Sequence, residues 1–294
     1  MTYLDTAPPL RAEQNLVEGE FAFTSQDFRA IAAMLHADAG IALVESKANL
    51  VYSRLAKRLR KLGIASFKAY CGLVSSPEGT EERQNMLAAL TTNVTRFFRE
   101  DHHFAHLKTK VLPRLIERVR QGGRARIWSA GCSSGQEPYS IGLTLLSLMP
   151  DAGKYDIKIL ASDIDPNVIA EGRRGYYNSD ICAPIGHELL SRWFEGSGRE
   201  GWTAGADLRQ LVSFRELNLM GNWPMRGQFD VIFCRNVAIY FEEATQSRIW
   251  SRFTAQLAPG GSLYIGHSER VSGEAADKLL TDGLTTYRVK GGGA

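Results

Sequence analysis

The residues best suited to chemistry lie where two apolar runs end. Ile127–Ala130 is a short apolar run closed by Gly131, with Gly135, Glu137 and Pro138 just beyond it. From Pro138 the apolar positions Ile141, Leu143, Leu145 and Leu146 predict a helix. Strand, glycine turn and helix form a nucleotide-binding βα unit, because glycine lets the backbone approach a ligand closely. The next apolar run, from Ile157, ends in Asp163. An acid at the carboxyl end of the second strand of a doubly wound sheet stands where a ribose presents its vicinal hydroxyls, and a carboxylate can accept both. Asp165, just before Pro166, is the better helix cap, which leaves Asp163 for the ribose.

The same stretches exclude other chemistry. The glycine spacing is not G-x-G-x-x-G and no P-loop lysine follows, so neither a pyrophosphate nor a triphosphate is the natural guest, and an NAD oxidoreductase is disfavoured. Nucleoside contacts without a pyrophosphate loop point to S-adenosylmethionine. No Ser-His-Asp pattern stands out. His102 and His106 have the spacing of zinc ligands on a helix, but the H-E-x-x-H glutamate and a third ligand are missing, so no metal is expected.

The elements that must position these residues follow from pattern and composition. With 294 residues, 44% hydrophobic and 23% charged, the chain suits one large or two small globular domains. No apolar run reaches the length of a membrane span, the start lacks a signal-peptide core, and the four cysteines are scattered without C-x-x-C pairing. A cytoplasmic protein with reduced thiols is expected. A net charge of +3 does not by itself imply nucleic acid.

Residues 1–22 read as a flexible tail, and 23–92 as an all-helical domain of about four helices. Its second helix, about Glu45 to Leu62, carries Lys47, Arg54, Lys57, Arg58 and Lys61 at helical spacing, with no acid interleaved. Such a stripe, if more than a solvated face, meets an acidic partner. After Gly123, strands and helices alternate, which predicts a doubly wound, mostly parallel sheet over residues 93–294. The alternation breaks at about 176–216, where glycine-rich turns separate Arg192–Phe194, Gly201–Thr203 and Leu211–Phe214; these read as a small antiparallel β insertion. The sheet resumes at Val212–Leu219 and Phe229–Asn236, and Thr285–Lys290 closes it.

Five blocks resemble the CheR family, the chemotaxis receptor methyltransferases that esterify receptor glutamates. They are Thr91–Glu100, Gly135–Ser140, Ala161–Asp165, Phe233–Val237 with Tyr240-Phe241, and Gly266–Glu269. They fall in family order and span nearly the whole chain. The resemblance implies a Rossmann-like methyltransferase fold, and an S-adenosylmethionine pocket lined by Asn93, Thr95, Arg99, Glu137, Asp163, Asn218, Leu219, Arg235 and Asn236. Arg99 and Tyr240 would act on the substrate glutamate. It further implies that Arg54, Lys57, Arg58 and Lys61 dock the acidic helices of a receptor's cytoplasmic domain. The β subdomain helps hold receptors in this family and in some members grips a receptor's C-terminal peptide. A monomer, with no nucleic acid and no membrane insertion, is expected. Other readings are a methyltransferase for RNA or a small acid, and a non-catalytic S-adenosylmethionine-binding adaptor. The basic stripe has no aromatic platform beyond Tyr52, which disfavours RNA.

Overall fold

The computed structural model describes residues 15–291. The chain divides between Leu90 and Thr91 into two compact units, with residues 39–41 joining the later one. The first fourteen residues of the expected tail, and residues 292–294, lie outside the described residues.

In the first unit, β1 (Asn15–Val17) pairs antiparallel with β2 (Phe23–Thr24). The expected tail is thus structured from Asn15. Apolar burial is the reason: within it Phe21 is buried with its ring 6.4 Å from that of Phe67, and its N–H donates to the Tyr52 hydroxyl at 3.1 Å. Four helices follow, α1 (Ser25–Ala39), α2 (Ala48–Leu62), α3 (Phe67–Ser75) and α4 (Thr80–Leu90). Glu45–Lys47 forms a 3₁₀ turn ahead of α2, which ends at Gly63 in the left-handed conformation. The α2 face of Val51, Leu55 and Leu59 is buried.

The expected absence of compensating acids along α2 is corrected by tertiary pairing. Arg58 forms a two-pronged ion pair with Glu82 of α4, through Nε at 2.9 Å and through Nη2, and Glu82 also accepts the Tyr70 hydroxyl at 2.8 Å. Arg60 pairs with Glu20 at 2.7 Å. Arg54 donates to the carbonyls of Ala89 and Leu90, the unsatisfied end of α4. Lys47, Lys57 and Lys61 remain exposed.

The second unit opens with α5 (Asp101–His106), a π-helical turn at Leu107–Val111 and α6 (Leu112–Arg120). The π turn precedes Pro113, whose missing N–H breaks the regular ladder there. Strand β3 (Ala125–Ala130), α7 (Gln136–Leu148), β4 (Ile157–Asp163) and α8 (Pro166–Arg174) realise the two βα units. The insertion holds β5 (Tyr176–Tyr177), α9 (Ser179–Cys182), α10 (His187–Trp193), β6 (Phe194–Ser197), β7 (Gly201–Ala204) and α11 (Ala206–Arg209). Then come β8 (Val212–Glu216), β9 (Phe229–Cys234), α12 (Glu243–Gln256), β10 (Leu257–Ile265), α13 (Glu274–Lys278), β11 (Leu279–Gly283) and β12 (Thr286–Val289).

The main sheet has the order β11-β12-β10-β9-β3-β4-β8. The five strands from β10 to β8 run parallel, and β12 inserts antiparallel beside β10. Strand β11, which pairs antiparallel with β12, has no counterpart in the sequence reading. The small sheet has the order β5-β7-β6, all antiparallel. Leu211–Phe214 is not part of it: β8 pairs with β4 in the main sheet, so the insertion ends before Val212 and its third strand is Tyr176–Tyr177. The chain leaves β3 to one side through β4 and to the other through β9. That reversal opens a ligand crevice at the carboxyl ends of β3, β4 and β9.

Candidate active site

The turn after β3 is built for close backbone approach. Gly131, Ser133 and Gly135 all have positive φ (+79°, +49° and +99°). A Cβ on Gly135 would lie 2.8 Å from the Tyr177 hydroxyl, so that position has no room for a side chain. Asp163 closes the turn: its Oδ2 accepts from the Ser133 backbone N–H at 2.8 Å and its Oδ1 from Asp165 N–H at 3.1 Å. Each oxygen keeps a lone pair for a further donor. Burial pushes the Asp163 carboxyl up, against the pull of those N–H groups. Asp165 caps α8 through Asn167 N–H, as its position before Pro166 predicts, and accepts from Asn93 Nδ2 at 2.9 Å.

The segment carrying Asn93, Thr95 and Arg99 is pinned at several points. Ser133 Oγ donates to the Asn93 carbonyl at 2.9 Å, and Ser140 Oγ accepts from Phe98 N–H at 3.0 Å. Phe97 is buried against Tyr177 and Phe194, and the half-buried Phe98 packs against Phe104. Phe98 and Glu100 both hold left-handed backbone, φ +52° and +57°, on either side of Arg99. Arg99 Nη1 donates to the Val94 carbonyl at 2.9 Å, while its own carbonyl accepts from Arg235 Nη2.

Arg235, whose side chain is only 2% exposed, lies between two carboxylates. Its Nη1 is 3.1 Å from Glu137 Oε2, and its Nη2 is 3.4 Å from Glu100 Oε2. Glu137 sits in the first turn of α7, where acids are favoured, and also accepts from Ser129 Oγ at 2.7 Å. Burial pushes the Glu137 carboxyl up, against the pull of Arg235 and Ser129. Burial pushes Glu100 up as well, but Arg235, His267 and His103 together outweigh it and hold that carboxyl below its usual value.

Asn236 follows β9 in left-handed backbone, φ +59°, and Tyr240 ends the short 3₁₀ turn Ala238–Tyr240. After β8, Asn218 Oδ1 accepts from Met220 N–H at 2.9 Å, and the buried Leu219 gives its carbonyl to Arg252 and Trp223. The structure therefore forms two hydrogen-bonded groups, one of Asn93, Ser133, Asp163 and Asp165 and one of Glu137, Arg235 and the Arg99 carbonyl, joined by the chain segment between Asn93 and Arg99; Thr95 is half-buried within that segment.

Several participants were not singled out by sequence reasoning: Glu100, Ser129, Ser133 and Glu269. Their signal was present only as membership of the quoted blocks or runs, without a role. Of the zinc-spaced pair His102/His106, His106 directs Nδ1 to the Tyr264 hydroxyl at 2.9 Å and has Nε2 3.6 Å from Asp282 Oδ2. Glu100, His102 and His103 instead place three potential donor atoms within 4.8 Å of one another, beside the guanidinium of Arg235. A cation there would compete with Arg235 for Glu100.

A seven-stranded sheet with one antiparallel insertion, an acid ending its second strand and a glycine turn without pyrophosphate spacing define an S-adenosylmethionine-dependent methyltransferase. The polar set fits that cosubstrate: carboxylates suit its ribose and its cationic groups, and the buried Asn236 Oδ1 has no hydrogen-bond partner within the protein. The chain belongs to the CheR methyltransferase family. The family's all-alpha domain matches residues 26–91 and its SAM binding domain residues 93–287. The chain is 55% identical to a probable chemotaxis protein methyltransferase of Rhizobium etli, over 87% of this chain and 96% of that protein. It is 44% identical to chemotaxis protein methyltransferase 2 of Pseudomonas aeruginosa, over 91% and 94%. It is 40% identical to the chemotaxis protein methyltransferase of Escherichia coli, over 90% and 91%.

Proposed function

We propose that this chain transfers the methyl group of S-adenosylmethionine to glutamate carboxylates of chemotaxis receptors, forming methyl esters and S-adenosylhomocysteine. The observation that carries the reading is the pair of hydrogen-bonded groups beyond the carboxyl ends of β3, β4 and β9, one around Asp163 and one around Arg235 and Glu137, which the Asn93–Arg99 segment bridges. Asp163 takes the ribose hydroxyls. Asn93, Thr95 and Asn236 serve the methionine end or the adenine edge, with Asn218 and Leu219 completing the lining.

S-adenosylmethionine supplies a methyl carbon made electrophilic by its sulfonium. A glutamate is already ionised at neutral pH, so the protein needs no general base and instead contributes alignment and exclusion of water. Arg99 orients the incoming carboxylate and Tyr240 hydrogen-bonds one oxygen, leaving the other free to attack. Arg99 is suited to a monodentate hold, because one guanidinium nitrogen already donates to the Val94 carbonyl.

The acceptor is an acidic, glutamate-bearing helix of a receptor's cytoplasmic region. The exposed Lys47, Lys57 and Lys61 of the helical unit supply the docking charge, while Arg54 and Arg58 shape that unit through α4. The small β insertion is a second holding surface, for a receptor's C-terminal peptide. Among the described residues no helix is long and apolar enough to cross a membrane; the protein acts as a cytoplasmic monomer on its membrane-borne partner.

Incubation with methyl-labelled S-adenosylmethionine and receptor cytoplasmic fragments tests the reading. Receptor-bound label released as methanol by alkali is expected. Alkali-stable label would indicate another acceptor atom, and cofactor binding without turnover on any acidic helical receptor would indicate an adaptor.

A further inference from the structure

The loop that follows β9 is held by a carboxylate from the loop that follows the neighbouring parallel strand β10. Glu269 is 3% exposed. Its Oε1 accepts from the backbone N–H groups of Val237 (2.9 Å), Ala238 (2.7 Å) and Ile239 (3.3 Å). Its Oε2 accepts from those of Asn236 (2.9 Å) and Gly266 (2.5 Å). Successive backbone N–H groups converging on one anion form a nest. Burial pushes the Glu269 carboxyl up, and the donors pull it back. An acid in such a place disfavours folding unless it is fully hydrogen-bonded, so a side chain needed only to fill space would be apolar.

What the nest holds is the Asn236–Tyr240 loop. Asn236 is left-handed, a conformation that asparagine tolerates better than other non-glycine residues and that the bond from its own N–H to Glu269 holds in place. Its side-chain Oδ1 is buried without a partner. Gly266 serves the same loop: a Cβ there would lie 2.5 Å from Asn236 Nδ2 and 2.7 Å from its backbone nitrogen. The glycine and the glutamate of Gly266–Glu269 thus have one task, to admit and fix Asn236.

We propose that Glu269 is a positioning residue for methyl transfer, locking the Asn236–Tyr240 loop so that Asn236 Oδ1 meets the cofactor and the Tyr240 phenol meets the acceptor. The inference rests on the cofactor role given above to Asn236 and the substrate role given to Tyr240. Without the carboxylate the N–H groups of residues 236–239 turn to water, and the loop loses the anchor that fixes its place beside β10.

The test uses the full chain carrying Glu269→Gln, which keeps the shape but sets an NH₂ against N–H donors. S-adenosylhomocysteine affinity by calorimetry should fall about tenfold to a hundredfold. Amide exchange should accelerate at residues 236–239, with the central strands still protected. Gly266→Ala should do the same by a different route, which keeps the idea testable if Glu269→Gln folds poorly. The Asn236→Ala background separates positioning from general support: there, Glu269→Gln should cost no further affinity, because the residue it acts through is gone. Fully additive losses, or wild-type affinity with loop amides still protected, overturn the proposal. Wild-type binding by Asn236→Ala alone would remove Asn236 from the cofactor site. The proposal then stands only if Glu269→Gln slows single-turnover transfer at saturating cofactor, and falls if it does not.

Discussion

Asp163 Oδ2 accepts a hydrogen bond from the backbone N–H of Ser133 at 2.8 Å, so the acid that ends one strand also holds the glycine turn that ends its neighbour. On the proposed ribose role, one side chain sets both the ribose position and the shape of the turn beside it. Asp163→Ala should weaken S-adenosylhomocysteine binding by about 1–3 kcal/mol, through lost charge-assisted bonds and a loosened turn. Calorimetry on the folded variant checks this, and unchanged affinity would take Asp163 out of the ribose site.

Arg235 offers a stability prediction. Removing it as Arg235→Gln takes from Glu137 its one ion-pair partner among the described residues and leaves Glu100 only His267 and His103, at positions 12% exposed, where breaking such a pair costs up to about 3–5 kcal/mol. Urea unfolding should show a midpoint well below wild type. A variant of wild-type stability would mean that water reaches the cluster freely.

Tyr240→Phe removes only a hydroxyl and should slow single-turnover methyl transfer by about tenfold to a few hundredfold, with S-adenosylhomocysteine affinity nearly unchanged. Arg99→Ala should slow it more, with part of the loss appearing as weaker cofactor binding. A wild-type rate for Tyr240→Phe would place the phenol outside the reaction.

The two kinds of cation on α2 should separate. Reversal of Lys57 and Lys61 to Glu should leave the fold and cofactor affinity intact and reduce receptor methylation, and raised salt should mimic it in wild type. Arg58→Glu should instead destabilise the helical unit by about 1–3 kcal/mol, because it breaks the buried Glu82 pair. Normal methylation by the Lys57/Lys61 variant would make the stripe a solvated face.

His103 is fully buried, and burial, aided by Arg235, lowers its pKa from 6.5 to about 3. Between those values the unfolded chain binds a proton that the folded chain refuses, so stability rises with pH there and is lost as pH falls from about 6.5 towards 3. Urea titrations of His103→Gln should show a shallower acid-side slope than wild type. An unchanged slope would assign the acid sensitivity to other groups.

The sequence by itself determined what local pattern and residue type can carry. The apolar runs gave β3, β4 and β9, glycine at 131 and 135 gave the turn, and Asp165 before Pro166 gave the cap, because each depends on neighbours within a few residues. The five motif blocks likewise named the family. Only the tertiary structure decided partners that are distant along the chain. Helix α2 reads as an uncompensated basic stripe until Glu82, from α4, meets Arg58. Glu137 and Arg235 are legible in the sequence only through the family resemblance, and they form a largely buried charge cluster with Glu100 once the segment before α5 meets the ends of β3 and β9. Glu269 could not be assigned a role from sequence, since its partners are backbone N–H groups that converge only once β10 lies beside β9. A carboxylate's neighbours, not its position in the chain, decide whether it is solvated, paired or held in a nest of amides, and only the folded chain supplies those neighbours.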